Sequence, residues 1–257
     1  MKKVQIKYLI LLSLVYSYSF GQHINDSIIN NSNLIIHNQL SFKYKQLIIP
    51  TILIGYGVWA TDNDQLEFFN LEIKEEVSEH IDDRITMDDF TQYAPLVTVF
   101  ALDFGGIKGK NNLKDKSIIA TTSALIMGTT VAVIKKVSHV QRPDETGVNS
   151  FPSGHTATAF MGAELLFQEY KEVSLWYGIS GYIVASATGI FRMLNNRHWL
   201  SDIVTGAGIG ILSAKAGYWL YPAINKLFTN NKSTTKKTVF VPYYDGKTTG
   251  FGLVSIF

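Results

Sequence analysis

Apolar positions along the chain gather into six segments of helix-like length: Leu47–Ala60, Ala94–Ile107, Ser117–Ile134, His155–Phe167, Val173–Phe191 and Ile203–Tyr221. Several carry few or no charges. In the last, small residues recur at Gly206, Gly208, Gly210 and Ala214, and spaced small residues let helices approach closely inside a bilayer. Three segments fall well short of the ~20 residues that cross a hydrocarbon core. A soluble bundle with helices buried on most sides therefore fits the same periodicity, and both readings stay open. The final stretch, "TVFVPYYDGKTTGFGLVSIF", alternates about Asp245-Gly246, a hairpin turn signal. The expected fold is all-α, a helical bundle of about six apolar helices, transmembrane, with a small C-terminal β-hairpin.

Charge divides the rest of the chain. Asp62 to Asp89 holds 11 of the 21 acids, and Ile73, Val77 and Ile81 recur there every four residues. That pattern predicts an amphipathic helix with a solvated acidic face, a reading favoured over a cation site. "KGKNNLKDK" (Lys108–Lys116) and Lys226–Lys237 are basic instead. By the positive-inside rule the basic stretches lie in the cytoplasm and the acidic one outside.

Met1–Gly21 has a basic start, a short apolar run and a small-residue end, so it reads as a secretory signal cleaved before Gln22, with an anchor helix as the alternative. A cleaved leader delivers Leu47 outside, whereas the charge rule starts the first segment inside. An anchor, a non-crossing early segment or a soluble bundle each resolves that conflict. The chain thus divides into a leader (1–21), a polar stretch (22–46), a helical domain (47–222) and a basic linker with the hairpin (223–257). Loss of the leader removes three lysines and no acid, which turns a formal net charge of +2 into −1. Net charge therefore gives no support to a nucleic-acid partner. Cysteine is absent, which excludes thiolate metal sites and Cys nucleophiles.

Candidate chemistry sits at the ends of the apolar segments. In "NSFPSGHTATAF" (Asn149–Phe160), Ser153 is a good N-cap and Gly154 lets a ligand approach the backbone. The free N–H groups of the next helical turn suit a phosphate, with His155 beside them. Upstream, Lys135 precedes Arg142 by seven residues, two helical turns, so both cations share a face. Downstream, Arg192 precedes His198 by six and Asp202 follows His198 by four. At that spacing Asp202 can accept a hydrogen bond from a His198 ring nitrogen and make the other nitrogen a better nucleophile. Each piece alone has an ordinary structural explanation: a snorkelling cation, a capped helix or a His–Asp pair. Together they supply three cations, two histidines, an acid and an anion nest.

The order Lys135-x6-Arg142-Pro143, Pro152-Ser153-Gly154-His155 and Arg192-x5-His198-x3-Asp202 resembles the tripartite signature of the type 2 phosphatidic acid phosphatase and vanadium haloperoxidase superfamily. The resemblance spans Leu47–Tyr221, and one position departs from it: Phe191 stands where the family usually has Ser. It implies that His198 attacks phosphorus to form a phosphohistidine, that Asp202 orients it, and that His155 protonates the leaving group. Lys135, Arg142, Ser153, Gly154 and Arg192 would hold the phosphoryl oxygens. No metal or other cofactor is implied. Lys136, His139 and Arg197 fall outside the matched positions and read as rim residues, with Arg197 a weak candidate for headgroup contact. The expected activity is hydrolysis of a lipid phosphate or diphosphate at the periplasmic face of the cytoplasmic membrane. A soluble periplasmic acid phosphatase is the alternative, a vanadate-dependent haloperoxidase fits less well, and a non-catalytic membrane scaffold fits least.

Overall fold

The structure, a computed structural model, describes residues 42–61, 70–72, 86–229, 237–244 and 249–256. The leader, most of the polar stretch, the Ile73–Ile81 amphipathic helix and the Asp245-Gly246 turn lie outside the described residues.

After a 3-10 turn at Tyr44–Leu47, α1 runs over Ile48–Thr61. A single helical turn, Asp88–Thr91, precedes α2, Ala94–Phe104. Pro95 sits in the first turn of α2, where a missing N–H costs no helical bond. The long α3, Leu113–Ser138, opens on Asn112, whose side chain accepts the Asp115 N–H at 3.0 Å, and closes on His139 in the left-handed region. Then follow α4 (Gly154–Tyr170), α5 (Leu175–Leu194) and α6 (Leu200–Thr229). These helices overlay the apolar segments, and the described body is all-α as expected. Beyond it, Lys237–Tyr244 (β1) pairs in antiparallel register with Thr249–Ile256 (β2).

The core forms around α4 and α6. Helix α4 packs against α2, α3, α5 and α6, while α6 packs against α1, α3 and α4. Surrounded in this way, α4 buries Ala157, Ala159, Met161, Ala163, Leu165, Leu166 and Tyr170, which a helix apolar on most sides must do. Burial of Met161, Leu165 and Leu166 stabilises by about 2 kcal/mol each. The close approach of α6 to α4 depends on glycine. A methyl group on Gly206 would lie 2.5 Å from the Ser153 carbonyl oxygen, and one on Gly210 would overlap the Ala157 carbonyl.

Polar groups lie inside the half of the bundle away from Gly154. Lys116, 2% exposed, donates to Asp103 at 2.8 Å and to the Tyr170 hydroxyl at 3.2 Å. Glu169 accepts from the Asn111 backbone at 2.9 Å and from Tyr218 at 2.6 Å. Glu164 accepts from Lys215, Tyr182 and Gln168. Each buried charge thus has an opposite charge or several donors, as burial requires.

Among the described residues one helix, α3, is long and apolar enough to cross a membrane by length and composition. Its 26 residues reach roughly 39 Å, whereas the 11 of α2 reach roughly 16 Å, about half a hydrocarbon core.

Candidate active site

The chain order brings four helix ends to one end of the bundle. Helix α3 ends and α4 begins there, joined by residues 139–153, and α5 ends and α6 begins there, joined by residues 195–199. The Asp88–Thr91 turn lies against α5 and α4 at the same end.

His198 stands in the short α5–α6 connection and is 3% exposed. Its Nδ1 lies 3.2 Å from Asp202 Oδ2. A carboxylate only accepts, so Nδ1 carries the hydrogen and Nε2 keeps a free lone pair. The same Asp202 oxygen accepts the Trp199 backbone N–H at 2.9 Å and the Ser150 hydroxyl at 2.5 Å. The first bond is half of a capping box, an acid in the first turn reaching back to the residue before the helix. Capping α6 and orienting His198 are therefore one task for Asp202. Burial depresses the His198 imidazole from 6.5 to about 4. The Asp202 hydrogen bond works in the opposite direction, and the charges on Lys135 and Arg192 add to the depression. At neutral pH His198 is uncharged.

Ser153 caps α4: its hydroxyl accepts the Thr156 N–H at 3.4 Å and lies 2.9 Å from the Thr156 hydroxyl. Its own N–H donates to the Asp202 carbonyl at 3.0 Å, which locks the start of α4 to the start of α6. Ser153 is fully buried, so its side chain is committed to the cap. His155 follows in the first turn, with Nε2 3.0 Å from Asp89 Oδ1.

A cavity of about 250 Å³ opens among Arg142, His155, Arg192, Asn195, Arg197, Asp88, Asp89 and Thr86. It joins Arg142, His155 and Arg192, three residues singled out from the sequence, and adds Arg197. Lys135 Nζ turns to the carbonyls of Asn149 (2.6 Å) and Ser150 (3.1 Å). Arg142 Nε donates to Asn149 Oδ1 at 2.9 Å. Burial and the neighbouring Arg192 guanidinium push the Arg142 pKa down, against the opposing charge of Asp144. The Arg192 Nε is buried and has no acceptor. Preorganised donors of this kind suit an oxyanion whose charge grows during reaction.

Three residues escape a reading of the sequence. Ser150 lies three positions before Ser153, and nothing in its context shows that its hydroxyl meets Asp202. Asp88 and Asp89 close the acidic stretch that reads as a solvated face. At this end of the stretch that expectation is corrected. Asp88 is 1% exposed, accepts Arg192 Nη1 at 2.5 Å and faces Asn195 at 3.3 Å. Asp88, Asp89 and His155 also place one ligand atom each within 4.8 Å of one another. Arg192, at 2.5 Å from Asp88 and 3.9 Å from Asp89, already supplies the cation for both carboxylates.

Residues 116–226 match the model of the PAP2 superfamily, in line with the resemblance carried by the three motifs. Lipid A 1-phosphatase of Porphyromonas gingivalis is 42% identical over 153 residues, 59% of this chain and 34% of that protein. The bacitracin transport permease protein BcrC of Bacillus licheniformis is 36% identical over 78 residues, 30% of this chain and 36% of that protein. The chain thus aligns with about a third of the length of each. Among solved structures, LpxE of Aquifex aeolicus is similar at a TM-score of 0.45 and 23% identity, covering 58% of this chain and 94% of its own. A transmembrane PAP2 type phosphatidylglycerolphosphate phosphatase from Bacillus subtilis is similar at 0.44 and 16%, covering 73% and 98%.

Proposed function

We propose that the chain is a membrane phosphatase that hydrolyses a lipid phosphate or diphosphate monoester through a phosphohistidine, with its site on the periplasmic side. The observation that carries this reading is a neutral, carboxylate-oriented His198 at the same end of the bundle as the Arg142–Arg192–His155 cavity. In the first step the His198 Nε2 lone pair attacks phosphorus. The bond to the leaving oxygen breaks, and His155 gives that oxygen a proton. In the second step water attacks the phosphohistidine, His155 takes the water proton, and phosphate leaves with His198 restored. Phosphoryl transfer asks mainly for positioning and charge stabilisation, which Lys135, Arg142, Arg192 and the α4 N–H groups supply. Gly154, beside that helix start, has only a Val131 methyl group within 4 Å of a built Cβ, so the backbone there stays approachable.

Outward faces favour a bilayer. Ile52 on α1, Leu125 on α3 and Ile183 on α5 are each more than 60% exposed, with Val58, Trp59, Val133 and Trp176 also outward. An apolar surface of that extent suits acyl chains better than water. The relative named for lipid A makes a glycolipid phosphate the first substrate to try, ahead of phosphatidate, phosphatidylglycerol phosphate and a prenyl diphosphate.

The test is phosphate release by the detergent-purified chain from that panel, with and without EDTA. Turnover by the wild type that survives EDTA is expected. His198→Ala should lower it by on the order of 10⁴ or more, as removal of other nucleophiles does. Full activity in His198→Ala would overturn the reading, and loss of activity in EDTA would overturn its metal-free step.

A further inference from the structure

We infer that Asp89 is a positioning residue for the proton on His155, carried into the site by the Asp88–Thr91 turn. The inference rests on the phosphatase reading and extends it to a segment outside the three motifs. Its two carboxylates behave differently. Asp88 is buried and holds Arg192 and Asn195, so it anchors the turn to α5. Thr91 strengthens the anchor by accepting from the Thr188 hydroxyl at 2.9 Å. Asp89 is held one residue further on with its side chain 58% exposed. Its Oδ1 stands 3.0 Å from His155 Nε2 and 3.9 Å from Arg192 Nη1.

That oxygen occupies the position a leaving-group oxygen must take, within hydrogen-bond reach of the nitrogen that delivers the proton. The other charges facing His155 are mostly positive. Arg192 comes from α5, Arg142 from the α3–α4 connection and Arg197 from the α5–α6 connection. Burial, and after it the Arg192 charge, hold the imidazole below its usual range, while the Asp89 hydrogen bond and the charges on Asp88 and Asp89 work the other way. When His155 is protonated, its Nε2–H donates to the Asp89 carboxylate, which holds the proton where the leaving group arrives. When substrate arrives, its bridging oxygen replaces Asp89 Oδ1 on that hydrogen. The proton passes to the oxygen as the P–O bond breaks and the N–P bond to His198 forms. Hydrolysis of the phosphohistidine returns a proton from water to His155, and the Asp89 contact re-forms.

The experiment compares wild type, Asp89→Asn and Asp89→Glu as full-length chains in detergent. Two measurements are made: kcat/KM against pH, and the titration of the His155 ring by NMR. Asp89→Asn should lower the His155 titration and move the alkaline limb of kcat/KM down by about one pH unit, so that its loss reaches about tenfold above the limb. Asp89→Glu should keep most of the wild-type profile. The deficit should be large with an alkyl phosphate and small with 4-nitrophenyl phosphate, whose leaving group needs no proton. A loss equal at every pH and for both leaving groups, or an unmoved His155 titration, overturns the inference. A wild type that releases no phosphate from any substrate defeats the phosphatase reading instead. The NMR titration still reports on Asp89 in that case.

Discussion

His198 shows how much of the site a single residue's surroundings decide. In water an imidazole gains its proton near pH 6.5, whereas inside the bundle this one is depressed to about 4 because burial penalises the charge. Two consequences follow with definite sign. The unfolded chain binds that proton from about pH 6.5 downward and the folded chain does not. The residue's contribution to stability is therefore intact above pH 6.5 and declines as the pH falls toward 4. As the proposed nucleophile, His198 likewise stays uncharged down to about pH 4. The acid limb of kcat/KM should lie near there once substrate ionisation is accounted for, and a His198-linked limb near 6.5 would contradict the buried geometry. The spacing of His198 and Asp202 on one helix turn is legible in the sequence, since i and i+4 share a face. Ser150 is not legible, because its bond to Asp202 joins positions 52 residues apart through the packing of α4 on α6.

At the scale of elements, the helices are readable from apolar runs and one start from the cap Ser153, whereas the caps Asn112 and Ser174 emerge in the structure. Their neighbours were not readable, because periodicity shows that a face is apolar and not what covers it. The spaced small residues at Gly206 to Ala214 predicted close packing without naming the partner; the structure shows α4 beside Gly206 and Gly210. The acidic stretch hides its buried end for the same reason. Asp88 and Asp89 share the composition of a solvated face, and only the position of Arg192 shows that Asp88 turns inward while Asp89 stays exposed at the cavity. The packing can be tested at two glycines. Gly206→Val should strain the Ser153–Asp202 link, cost about 1–3 kcal/mol and lower activity with it. Gly128 in α3 has nothing within 4 Å of a built Cβ, so Gly128→Ala should be neutral or stabilise by up to about 1 kcal/mol. Thermal unfolding in detergent measures both, and equal effects would deny that Gly206 is a contact point.

At the scale of the whole molecule, the short lysine-rich connection at one end of the bundle bears on which way the chain faces. The site end carries Asp88, Asp89 and Asp144 beside its cations. The opposite end, at the α2–α3 connection, carries Lys108, Lys110 and Lys114. Applied to that short connection, the positive-inside rule expects the lysine end in the cytoplasm and the cavity outside. A cleaved leader and this orientation still disagree about α1, and the charge rule is the stronger guide because the basic connection is short. The chain itself offers a clean test, since it contains no cysteine. Val148, 56% exposed in the α3–α4 connection, and Lys114, exposed at the start of α3, mark the two ends, and neither lines the phosphoryl cavity. In intact spheroplasts a membrane-impermeant maleimide should label Val148→Cys and spare Lys114→Cys until the cells are lysed. The reverse pattern would invert the molecule. Labelling of both before lysis, with release of the chain by an alkaline carbonate wash, would make it a soluble periplasmic phosphatase. The two single-cysteine chains should first be shown to release phosphate at wild-type rates, so that the labelled population is the folded one.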